Sequence, residues 1–190
     1  MNSKLMSAIL IGLCLLANSI SALAQKKPET ISTLPKLVLT KLKVGEGEVY
    51  DVKGKATFTL TAANSDDSVT GTITYTLPED ARQKIAQITG KPLSAIPTSI
   101  TQKDVVADFQ KATACPVVHL EFAAMTTDVA GAQLHFNRFV LDINETQPTA
   151  NNEQKELVQL FCVWTRQINN GRARRGVIAT INRILNGEEQ

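Results

Sequence analysis

The chain has 190 residues, with 20 lysines and arginines against 18 acidic residues and a formal net charge of +2. So even a balance excludes a global field for nucleic acid or another acidic polymer. Outside the N-terminus no apolar run is long enough to span a bilayer.

The first 24 residues have the order of a secretory signal peptide. Lys4 precedes an apolar run from Leu5 to Ala17, and small residues follow as Ala22-Leu23-Ala24. Cleavage is expected after Ala24, with Gln25 as the mature start. The alternative is an anchor helix that stays attached. Cys14 lies inside the apolar run after Leu13, which is not the arrangement for lipidation. Loss of Lys4 lowers the net charge to +1 and leaves about 166 residues, a single-domain length. The expected destination is the periplasm or the cell exterior.

Residues 25–34, QKKPETISTL, are polar and predict a flexible leader. A single β-rich domain is expected over 35–187. LVLTKLKV (37–44) reads as a strand, with Gly45-Glu46-Gly47 as a turn. KATFTLT (55–61) and VTGTITYTL (69–77) alternate apolar residues with threonines, which predicts strands with one buried face. AANSDDS (62–68) supplies the turn between them. Pro78, Glu79 and Asp80 open a short helix stopped by Gly90 and Pro92. Residues 98–109 fit a strand better than a helix.

Cys115 and Cys162 are the cysteines left after cleavage. In an oxidising compartment they are expected to pair, the alternative being two buried free thiols. A bridge would close a loop of about 48 residues and stabilise by roughly 4 kcal/mol on the chain-entropy account. Pro116 is placed at the first position of a strand in which Val118, Leu120 and Phe122 alternate with His119 and Glu121. In AQLHFNRFVLDIN (132–144) the apolar phase changes, which predicts a bulge or turn near Asn137-Arg138.

From Asn151 the period is helical. Leu157, Leu160, Phe161, Trp164 and Ile168 share one face, and Asn170-Gly171 reads as a left-handed C-cap. A second stripe, Val177, Ile178, Ile181, Ile184 and Leu185, ends at Gly187. The fold class expected is therefore α+β. An antiparallel β-sheet or sandwich is covered by a C-terminal helical hairpin, with one disulfide joining the layers.

The segments CPVVHLEF, AGAQLHFNRFVLDIN, ELVQLFC and INRILNG resemble a group of uncharacterised secreted bacterial proteins. Members carry Cys-Pro or Cys-Asp before a leucine-rich strand, a Leu-Leu-Cys helix and a terminal Leu-Asn-x-Ile-Leu helix. The threonine-rich hairpin is similar too, so the likeness covers roughly Leu37 to Gly187. It departs at AAMTTDVAG and at NNGRARRG, where the group has Gly-Pro with leucines and a small glycine-rich joint. The resemblance implies export and a Cys115–Cys162 bridge, and it implies no activity.

No nucleophile-elbow, zincin, Cys-x-x-Cys, P-loop or dinucleotide motif occurs, and no cofactor is implied. His119, Glu121 and His135 would bind zinc only if their strands were neighbours; otherwise they decorate a polar sheet face. The pairs Asp66-Asp67 and Glu79-Asp80 are explained by a loop and a helix start. Arg172, Arg174 and Arg175 form the one local charge concentration, a candidate contact for an anionic surface or an ordinary solvated joint. The function expected is a non-enzymatic binding or structural domain. One version holds a lipid or other apolar small molecule between sheet and helices. The alternatives are an adhesion module using the basic joint, or a hydrolase.

Overall fold

The computed structural model describes residues 31–43, 47, 49–109, 115–146, 151–167 and 170–188. The expected signal peptide, leader residues 25–30 and Ile168 lie outside the described residues. Eight strands form one antiparallel sheet: β1 (Lys36–Lys43), β2 (Val49–Ala63), β3 (Ser68–Thr76), β4 (Ser99–Phe109), β5 (Val117–Phe122), β6 (Met125–Val129), β7 (Ala132–Phe136) and β8 (Phe139–Asn144). Helix α1 (Glu79–Thr89) joins β3 to β4, and α2 (Asn152–Arg166) and α3 (Gly171–Leu185) close the fold. The architecture is α+β, as the periodicities predict.

The strand order is β6-β7-β1-β2-β3-β4-β5-β8. Its two extremes are halves of one hairpin. β5 continues through Ala123-Ala124 into β6, and β7 continues through Asn137-Arg138 into β8. Residues so close in sequence cannot sit at opposite ends of a flat sheet, so the sheet curls until its edges meet. This explains the phase change in 132–144: β7 pairs with β1 and β6, whereas β8 pairs with β5.

Inside the curl the alternating apolar residues meet. Phe58 and Phe122 contact edge to face at 4.9 Å, Tyr75 and Phe136 at 5.0 Å, and Phe122 stacks on Phe139 at 4.8 Å. Burying one such ring contributes on the order of 2 to 3 kcal/mol. Two glycines make room for them. A Cβ at Gly54 would lie 2.3 Å from the Tyr75 ring, and one at Gly71 would lie 2.2 Å from the Thr59 carbonyl oxygen and 2.5 Å from the Phe58 ring.

Part of the expected leader is structured. Ile31 is buried, Ser32 bridges to Thr59, and Thr33 bonds Phe58 through both its backbone and its hydroxyl. Residues 31–34 therefore belong to the domain. A buried isoleucine and paired backbone groups give this polar-looking stretch a reason to order. β6 is a strand without a sequence signal, because Thr126 to Asp128 carry no apolar alternation of their own.

Helices α2 and α3 meet the sheet where β2 ends, β4 ends and β5 begins. Asn151 caps α2 by accepting from the Gln154 N–H at 2.7 Å. Leu157, Val158, Phe161 and Trp164 are buried. Asn170 corrects the reading of a left-handed cap on α2. It is the N-cap of α3, accepting from the Ala173 N–H at 3.2 Å, and Gly171 is already helical. Asparagine serves either helix end, and here its side chain satisfies an otherwise unpaired first-turn donor. In α3 only Ile181 and Leu185 are fully buried; Val177, Ile178 and Ile184 are partly so. At the other end of the curl, α1 ends at Gly90 in a left-handed conformation (φ 67°). Arg82 donates to the Ile96 and Leu93 carbonyls, holding the following loop against the helix.

Candidate functional site

Cys115 and Cys162 form a disulfide that joins the approach to β5 to the C-terminal half of α2. Cys115 is exposed, Cys162 is buried, and the Cys115–Pro116 peptide is cis. Pro116 sits in the turn before β5 rather than at its first position. An open cleft of ≈ 360 Å³ lies over the bridge, with Glu145 and Arg166 as its charged lining. Behind it the helix–sheet interface is filled by aromatic rings. Phe109 lies 5.0 Å from Phe161 and 5.1 Å from Trp164, and the latter two stack at 5.6 Å. The interface expected to hold an apolar ligand is thus occupied by side chains at these contacts.

The two histidines go to separate partners. His119 faces Asp142 across the β5–β8 ladder, with Nδ1 2.6 Å from the carboxylate, and Lys36 donates to its other oxygen at 3.2 Å. Burial pushes the Asp142 carboxyl up, but the bonds from His119 and Lys36, with their charges, outweigh it and hold the carboxyl below its ordinary range. Glu121 pairs with Arg138 at 3.1 Å, and His135 Nδ1 bonds the Thr126 hydroxyl at 2.8 Å. β5 and β7 are not neighbours in the sheet. The structure therefore does not assemble His119, Glu121 and His135, and among the described residues no three acidic, histidine or cysteine side chains converge as a metal would require.

The carboxylate pairs do local work. Asp66 accepts from the Ser68 hydroxyl at 2.6 Å and its N–H at 3.2 Å, and these bonds lower its pKa. Asp67, at φ 66°, pairs with Arg174 at 2.8 Å. Glu79 pairs with Arg82 at 2.5 Å within the first turn of α1. Neither pair forms a cleft of two facing acids.

The arginine concentration divides. Arg174 is engaged by the β2–β3 turn, where it pairs with Asp67 and also donates to the Ser65 carbonyl. Arg172 and Arg175 are exposed. A second cleft, ≈ 260 Å³, opens between α1 and the β1–β2 end; there Lys84 sits 4.3 Å over the Tyr50 ring beside Asp51 and Asp80.

A larger charged surface is assembled by the pairing of β1 with β2. Lys41, Lys43, Lys53 and Lys55 are scattered along LVLTKLKV and the approach to KATFTLT, and only strand register gathers them. On the outer face of β1 and β2, Leu37 stands opposite Lys55, Leu39 opposite Lys53, Lys41 opposite Asp51 and Lys43 opposite Val49. Alternation is the signal that could have found them, since residues two apart share a face.

No protein-family model matches the chain, and no curated protein and no solved structure matches it either. No helix among the described residues is long and apolar enough to cross a membrane.

Proposed function

We propose that the protein is an exported, non-enzymatic domain that acts by surface contact, with its helical pair fastened to the sheet by sulfur chemistry. The observation that carries this reading is the Cys115–Cys162 disulfide, which belongs to an oxidising compartment. The signal-like N-terminus agrees with it. Of the polar side chains weighed for chemistry, His119 pairs with Asp142, His135 with Thr126, Glu121 with Arg138 and Asp67 with Arg174. The filled Phe109–Phe161–Trp164 interface favours contact through the exterior over carriage of an apolar molecule inside.

The test is fractionation of producing cells followed by intact mass and thiol titration of the recovered protein. An exported product starting at Gln25, with no free thiol, is the expected result. A cytoplasmic product with two titratable thiols overturns the reading.

A further inference from the structure

The outer face of β1 and β2 combines two properties that rarely coincide. It exposes aliphatic side chains: Leu37 is 67% exposed, Leu39 43% and Val49 53%. It also carries Lys41, Lys43, Lys53 and Lys55 against one carboxylate, Asp51. No ion pair engages these four lysines among the described residues. The flanking strands add no acid beside them. β7 places His135 and Gln133 opposite Lys41 and Lys43, and β3 places Thr76 opposite Lys55. Lys41 and Lys43 lie where β1 is paired on both sides, to β2 and to β7, and Lys55 lies where β2 is paired to both β1 and β3, so these three are not guarding a sheet edge.

The geometry points to this face as a docking surface for an anionic phospholipid bilayer, a reading that rests on the proposed exported, contact-making domain. Charge complementarity selects the partner. Lysine is depleted from protein interfaces, where aromatic residues and arginine dominate, and this face presents neither outward. Lysine stems lie along apolar surface while the ammonium groups reach phosphates, and leucines between them enter the acyl boundary. The spacing suits the task, since Leu37 and Leu39 stand about 7 Å apart along the strand, each beside a lysine on β2.

The test is co-sedimentation of the protein, purified from producing cells, with phosphatidylglycerol-containing vesicles and with pure phosphatidylcholine vesicles. Binding only to the anionic vesicles, released by high salt, is expected. Lys53→Gln with Lys55→Gln should weaken partitioning roughly thirtyfold, from about 1 kcal/mol per lysine near an anionic surface. Leu37→Ser with Leu39→Ser should also weaken it, while Arg172→Gln with Arg175→Gln should not. All these positions are exposed, and an unchanged thermal melt verifies folding. Equal binding to both vesicle types, no binding, or loss through the arginines and not the lysines overturns the inference. Retention on polyglutamate without vesicle binding overturns it in favour of an acidic protein partner. Failure here alongside an exported, disulfide-bonded product removes this surface assignment alone; a cytoplasmic, thiol-bearing product removes the underlying reading.

Discussion

Asn182 of α3 grips both backbone groups of Ala63, the last residue of β2. Its carbonyl oxygen accepts from the Ala63 N–H at 2.7 Å, and its amide donates to the Ala63 carbonyl at 3.0 Å. The side chain thus does what a neighbouring strand would do at the point where pairing along β2 runs out. Arg174, two turns earlier, holds the adjoining turn through Ser65 and Asp67. Together they seat α3 where the buried area of its apolar stripe alone is modest.

Asn182→Ala leaves two partly buried backbone groups without partners. A loss of about 1 to 3 kcal/mol is expected by urea denaturation. Asn182→Asp keeps the acceptor but sets a carboxylate oxygen against the Ala63 carbonyl, so its midpoint too should fall below that of wild type.

Replacing both cysteines tests the staple. Cys115→Ser with Cys162→Ser should lower stability by roughly 4 kcal/mol, the chain-entropy value for a loop of this length. Helix content by far-UV circular dichroism should stay unchanged, because Phe161 and Trp164 remain packed against Phe109. Loss of helix signal would mean that the bridge, and not packing, forms the layer.

Gly71→Ala should be among the most damaging single changes in the sheet. The added methyl meets the Thr59 carbonyl, which is fixed by the ladder and cannot retreat, as well as the Phe58 ring. Overpacking of this kind costs about 1 to 3 kcal/mol or more. Gly90→Ala, at a left-handed position with open space around it, should cost less, and comparing the two melts separates contact from backbone strain.

Asp142 makes stability depend on pH in a stated direction. Its folded carboxyl titrates below the unfolded value of about 3.9, so its contribution is present above that pH and lost as pH falls through the folded pKa. Asp142→Asn should reduce stability at neutral pH and flatten its decline below about pH 4, measured by denaturant titration across that range. An unchanged acid slope would remove the His119–Asp142–Lys36 network as its source.

Local chemistry made much of this legible in the residues themselves. Alternation placed the threonine-rich hairpin, the 3.6-residue period placed α2 and α3, and Gly90 with Pro92 ended α1. Those signals are intrinsic, since one buried face per element imposes its own spacing. Two cysteines behind a signal-like segment likewise pointed to a bridge. Pairing between distant strands was not legible. The division of 132–144 between opposite ends of the sheet, the separation of His119 from His135, the diversion of Arg174 to a turn and the gathering of the lysines beside Leu37 and Leu39 all follow from the curl. Curling is decided by how rings such as Phe58, Phe122 and Tyr75 fill a common interior, and by glycines that let them close in. That is a property of the assembled interior, because each strand taken singly is compatible with many neighbours.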